Sequence, residues 1–180
     1  MKIESIALFC GSSEGNNDKY RELAAQFGVA CAQRNMAIYY GGGCTGMMGA
    51  VSSAAMSNGG NVIGIAPKLF VDMGVLADYI SEMILVESMS ERKQLFENYS
   101  DAFVILPGSI GTMDEFFEVL TDAQLKLHNK PIVLLNTFGY YDALITQINT
   151  FVKEGFLQKE CMNLFCVANS VEEVFQRLSV

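Results

Sequence analysis

Ala102-Phe-Val-Ile-Leu-Pro-Gly-Ser-Ile-Gly-Thr-Met-Asp-Glu115 decides the reading of the fold. Ala102 to Leu106 run without a polar break, the pattern of a strand buried on both faces. Pro107 ends it. Gly108 and Gly111 let the backbone turn so that successive N–H groups aim at one spot. The spacing predicts an amphipathic helix from Met113 to Leu127, with Thr112 as its N-cap. Unpaired N–H groups and the macrodipole make such a helix start attractive to a phosphate. Asp114 and Glu115 then fall in the first turn, where they complement the dipole. Neighbouring helix positions point about 100° apart, so at most one of the two is expected to face a site. A carboxylate there suits a sugar hydroxyl, a water or a developing oxocarbenium.

The same strand–turn–helix unit recurs on both sides of this stretch. Strands are predicted at 6–10, 36–40, 62–66, 84–86, 131–135 and 164–167. Helices are predicted at 20–34, 47–56, 90–99 and 141–154, and Ser170-Val-Glu-Glu173 resembles a capping box opening a last one. Residues 69–80 show no clear period. Continuously apolar strands alternating with helices imply an α/β fold, a doubly wound parallel sheet of six or seven strands with helices on both faces. The 180 residues are expected to form one domain, 1–180. Ligands of such sheets bind beyond the carboxyl ends of the strands. Three turns there stand out: Gly11-Ser12-Ser13, Gly41 to Gly46, and Pro107 to Thr112.

Composition narrows the function. Apolar residues make up 51% and charged residues 18%, which excludes intrinsic disorder. Twenty acidic against 12 basic residues leave a net charge of −8. Without a basic cluster, no nucleic-acid partner is expected, and an anion site must act locally. Five cysteines with no paired spacing read as reduced thiols, which together with a start (Met1 to Ser5) lacking a signal-peptide layout implies a cytoplasmic protein. No apolar run is long enough to span a bilayer, so no membrane partner is expected.

Gly41-x-Gly43-x-x-Gly46 matches a dinucleotide-binding string, but no acidic residue follows at the distance needed to hold a ribose. A tight packing turn and a phosphate or ribose contact weigh evenly for it. Gly43, Thr45, Gly11 and Ser12 are the candidate contacts in the two earlier turns. No phosphate-binding loop ending in Gly-Lys and no nucleophile elbow occurs. The lone His128 reads as a helix C-terminal residue, and no metal-ligand spacing appears. No cofactor is implied; a pyridoxal mechanism lacks both a motif and an obvious Schiff-base lysine. Arg92 and Lys93, by spacing alone, read as a solvated helix face.

The order of these turns resembles the LOG family, the cytokinin riboside 5′-monophosphate phosphoribohydrolases often labelled lysine decarboxylases. The resemblance rests on Gly41 to Gly49, Val62 to Pro67, Met89-Ser-Glu-Arg-Lys93, Pro107 to Glu115, and Lys130-Pro131 with Gly139-Tyr-Tyr141. It implies a Rossmann-like fold, a homodimer, and a nucleoside 5′-monophosphate substrate. The N-glycosidic bond of AMP or an N6-modified AMP would be hydrolysed to free base and ribose 5-phosphate. By the same resemblance Arg92 and Glu115 are catalytic. Lys93 and the loop Gly108, Ser109, Ile110, Gly111, Thr112, Met113 and Asp114 contact substrate. The chain departs from the family pattern at Ser90, Phe96, Ser109, Asp114 and Asp122, of which Ser90 and Asp122 are expected to alter the base pocket. A nucleotide-binding sensor without turnover is the alternative, and a nicotinamide-dependent oxidoreductase a third reading. Apolar residues on several faces of the 113–127 helix (Phe116, Phe117, Val119, Leu120, Leu125, Leu127) point to a two-fold partner.

Overall fold

The computed structural model describes residues 2–180; Met1 lies outside the described residues. The elements, in chain order, are β1 (Ser5–Phe9), α1 (Asp18–Gln33), β2 (Ala37–Tyr40), α2 (Gly46–Ser57), β3 (Val62–Pro67), β4 (Glu82–Val86), α3 (Met89–Tyr99), β5 (Ala102–Ile105), α4 (Ile110–Gln124), β6 (Ile132–Leu135), α5 (Asp142–Lys153), β7 (Cys166–Ala168) and α6 (Val171–Leu178). The seven strands form one parallel sheet in the order β4-β3-β2-β1-β5-β6-β7. This is a doubly wound, Rossmann-like α/β architecture.

The alternation of side chains along β1 separates two cores. Ile6, Leu8 and Cys10 join Leu23 and Phe27 of α1, Val51 of α2 and Phe175 of α6. Ala7 and Phe9 face the other way, onto Phe96 of α3, Phe116 of α4 and Ile148 of α5. Strands buried on both faces explain why the sequence shows unbroken apolar runs. Strand order reverses between β1 and β5, and the crevice beyond their carboxyl ends is where this topology places ligands.

Three local expectations are corrected. Helix α4 starts at Ile110, not Met113, because Ser109 (φ −116°, ψ −145°) holds the non-helical cap position and its carbonyl accepts from Met113 N at 3.0 Å. Thr112 therefore lies inside the helix, and Asp114 and Glu115 sit in its second turn. The helix ends at Gln124 because Lys126 turns left-handed (φ 62°), leaving Leu125 and Leu127 outside it. His128 is not a helix terminus: its Nε2 bonds the Val119 carbonyl at 2.8 Å and its Nδ1 accepts from Lys130 N at 3.1 Å. That pairing fixes the proton on Nε2 and makes the ring a loop brace.

The unreadable segment at 69–80 is a strap. A single 3-10 turn (Lys68–Phe70) leads into it, and Leu76 bridges antiparallel to Gly43. Cys44 N donates to Val75 O (2.9 Å) and Ala77 N to Gly42 O (2.8 Å). No helical or strand period exists to be read, because Val75, Leu76 and Ala77 are placed by the Gly42–Cys44 turn rather than by a regular element of their own.

Candidate active site

A cavity of about 470 Å³ opens at the carboxyl ends of β1, β2 and β5. Its polar side is built by the three turns singled out in the sequence, through Gly11 and Ser12, through Gly41, Gly43 and Thr45, and through Ser109, Gly111 and Thr112. Gly11 N donates to Pro107 O at 3.0 Å, joining the turns after β1 and β5. Thr45 Oγ1 donates to Ser12 O at 3.2 Å, joining the turns after β1 and β2. Thr45 caps α2 without a side-chain bond to that helix.

Ser109 carries the N-terminus of α4 to the cavity edge. Its φ is negative, so its side chain costs no left-handed strain. Gly108 is required by packing: a Cβ there would lie 2.0 Å from Thr112 Oγ1. A Cβ on Gly111 meets nothing within 4 Å, so its side borders open space. The first amides of α4 have no partner within the helix, since Met113 N is the first to find one. Free donors at a helix N-terminus can hold an anion.

Arg92 and Glu115 meet at the cavity floor. Ser88 caps α3 by accepting from Glu91 N at 3.1 Å, and the Glu91 carboxylate accepts from Glu87 N at 2.8 Å. This box starts the helix immediately beyond β4 and turns Arg92 inward. Its Nε donates to Ile65 O at 3.0 Å, and its Nη2 lies 2.9 Å from Glu115 Oε1. Both side chains are buried. The solvated-face reading of Arg92 is therefore corrected: a buried guanidinium persists only with its charge and hydrogen bonds satisfied, and this one has both. Burial pushes the Glu115 carboxyl up to about 7 against the opposing pull of Arg92. Beside it, Cys10 lines the floor as a neutral thiol, its pKa raised chiefly by burial.

Lys93, Ile110 and Met113 do not border this cavity. They line a shallow groove on the outer face of α3 and α4. There Lys93 Nζ pairs with Asp114 at 2.9 Å and Glu118 at 2.5 Å. Burial works against its charge, yet the two carboxylates outweigh that and raise its pKa. Asp114 borders both the groove and the cavity rim, so both carboxylates of the pair reach the site, with only Glu115 buried. Ser90 is exposed and Asp122 belongs to the outer hollows, so neither shapes this cavity.

Sequence reasoning missed the apolar wall. Met48 comes from α2, Phe70, Met73, Val75 and Leu76 from the strap, and Met89 from the start of α3. An apolar wall opposite a polar cradle suits a flat, weakly polar ring held at one end by an anion. The only available signal was a cluster of large apolar residues without period.

Comparison with known proteins places the chain among its relatives. Residues 48–178 match the family model described as possible lysine decarboxylase. Two cytokinin riboside 5′-monophosphate phosphoribohydrolases of Arabidopsis thaliana are each 39% identical over 177 residues, covering 98% of this chain and 83% and 82% of theirs. Among solved structures, the molybdenum cofactor binding protein of Rippkaea orientalis has a TM-score of 0.74 at 22% identity, over 99% of this chain and 97% of its own. The molybdenum cofactor carrier protein of Chlamydomonas reinhardtii has a TM-score of 0.73 at 21% identity, over 99% and 100%. At such identities the structures share the fold alone. The sequence relatives share far more, and on their full-length similarity the chain belongs to the LOG family.

Proposed function

We propose that this chain is a nucleoside 5′-monophosphate phosphoribohydrolase, acting on AMP or an N6-modified AMP and releasing free base and ribose 5-phosphate. The observation that carries this reading is a buried Arg92–Glu115 pair, 2.9 Å apart, in one cavity with a free helix N-terminus. The names of the Arabidopsis relatives describe the same reaction class.

The cradle at Ser109 to Thr112 takes the 5′-phosphate, and the apolar wall takes the purine. Bond cleavage at C1′ passes through an oxocarbenium-like state, which a carboxylate stabilises. The oxygen of a water bonds to C1′ as the C1′–N9 bond breaks. Glu115 takes one proton from that water, the base leaves with the bonding pair, and the proton held by Glu115 passes to the base, which restores the carboxylate. A carboxyl raised to about 7 by burial is matched to this exchange near neutral pH. Arg92 is anchored by Ile65 O and Glu115, so it orients the carboxylate and places positive charge beside the reacting centre.

The reading includes one nucleotide-binding domain spanning the chain and a cytoplasmic setting, in keeping with five free cysteines. Among the described residues no helix is long and apolar enough to cross a membrane. It also includes a homodimer, supported by exposed Ile110, Phe117, Leu125 and Leu127 on and beside α4. Sedimentation that finds only the monomer at micromolar concentration would overturn the pairing.

The decisive assay incubates the protein with AMP, isopentenyl-AMP, GMP and CMP and measures released base by chromatography. Adenine or its N6-substituted form is expected from the first two. Glu115→Gln and Arg92→Ala should each cost about 10²–10³-fold in rate, the usual scale for a preorganised charged group. Since the base acts only when ionised, kcat/KM should climb with pH through an acidic limb near 7. Tight AMP binding without base release would instead mark a nucleotide sensor.

A further inference from the structure

The turn after β6 lies behind the anion cradle and touches it with two phenols. Tyr140 Oη donates to Gly108 O at 2.7 Å, and Tyr141 Oη donates to Leu106 O at 2.7 Å. Pro107 O between them accepts from Gly11 N at 3.0 Å. Three consecutive carbonyls of the loop between β5 and α4 are thus held by external donors. A planar trans peptide points its C=O and the next N–H in opposite directions. Holding Gly108 O toward Tyr140 therefore aims Ser109 N–H away from it, and Ser109 borders the cavity. Holding Pro107 O sets Gly108 N–H in the same manner.

We propose that Tyr140 is a positioning residue for the phosphate cradle, with its hydroxyl setting the orientation of the Gly108–Ser109 peptide. Neither Tyr140 nor Tyr141 lines the cavity, so neither touches a ligand there. Both are themselves held in place. Tyr141 N donates to Asn136 Oδ1 at 2.6 Å, and Asn136 Nδ2 donates to Asp142 Oδ1 at 2.8 Å. The Tyr140 ring meets Tyr20 edge-on at 5.5 Å and Tyr141 at 4.8 Å. The turn delivering them places Phe138 at φ 65° and Gly139 at φ 69°. A non-glycine residue in that region persists only when its surroundings over-determine it. A hydroxyl that also polarises the peptide strengthens the N–H donor on its far side.

The proposal rests on the reading of the loop as a 5′-phosphate site, and the test separates the two. Ribose 5-phosphate and adenosine are titrated calorimetrically into wild-type protein and Tyr140→Phe, alongside thermal melting and kcat/KM for AMP. Ribose 5-phosphate should bind Tyr140→Phe about tenfold more weakly, the scale of one lost hydrogen bond. Adenosine affinity should stay as in the wild type, the melting temperature should fall by no more than the few degrees that one lost hydrogen bond is worth, and kcat/KM for AMP should fall by the same factor as the phosphosugar affinity. Equal ribose 5-phosphate affinity in the two proteins would overturn the positioning role. Equal losses for ribose 5-phosphate and adenosine would also overturn it, by showing a general structural effect. Failure of the wild type to bind ribose 5-phosphate would instead sink the phosphate-site reading itself.

Discussion

The turns after β2 and β5 both carry glycines, both open a helix, and both border one cavity. Their glycines do different things. After β2, Gly42 and Gly46 stand at φ 81° and 61°, where side chains are strained. Gly46 also abuts the Ser12 backbone, since a Cβ there would fall 2.3 Å from its carbonyl atoms. Gly41 leaves room for Arg92, whose Nη2 would lie 2.6 Å from an added Cβ. After β5 no glycine has a positive φ. Gly108 is a contact requirement, and Gly111 faces empty space. The first turn is a packing device that frames the arginine; the second keeps backbone donors uncovered.

Gly46→Ala should break the first turn and produce the largest loss of stability. It combines a left-handed backbone with a backbone clash, for which about 3 kcal/mol is the expected scale. Denaturant unfolding should show the midpoint falling with the slope unchanged. An unchanged midpoint would mean that the turn after β2 is not a packing device, and the comparison would collapse.

This contrast explains what was legible in the sequence. The strands were, because burial on both faces writes itself as unbroken apolar runs such as Phe103 to Leu106. Residues 108–115 were legible as a glycine turn opening a helix; of them Ser109, Gly111, Thr112, Asp114 and Glu115 border the cavity, while Gly108, Ile110 and Met113 do not. The start of α4 was misplaced by three residues, because Ser109 and Thr112 are both residue types that cap helices, and Ser109 takes the position by backbone conformation without a side-chain bond. Arg92 was not legible by spacing: its burial depends on Ile65, Gly41 and Glu115, which are brought to it only by the sheet. The strap was illegible for the same reason, being held by bonds from Cys44 and to Gly42 rather than by any period of its own. The even weighing of the Gly41–Gly46 string is resolved in part: its glycines answer to packing, while Gly43 and Thr45 still border the cavity.

Gly111→Ala sharpens the other half of the comparison, with a smaller effect of opposite sign on the fold. Alanine in a helix is favoured over glycine by about 0.5–1 kcal/mol, and the new Cβ meets no protein atom within 4 Å. Melting temperature should therefore hold or rise slightly. Ribose 5-phosphate affinity should fall severalfold, because the methyl occupies space beside the donors that the phosphate needs. A variant more stable and weaker in binding is what a position kept open for a ligand predicts. If phosphosugar affinity is also unchanged, the open space beside Gly111 does not belong to the phosphate, and the cradle must lie nearer Ser12 and Thr45 than Ser109.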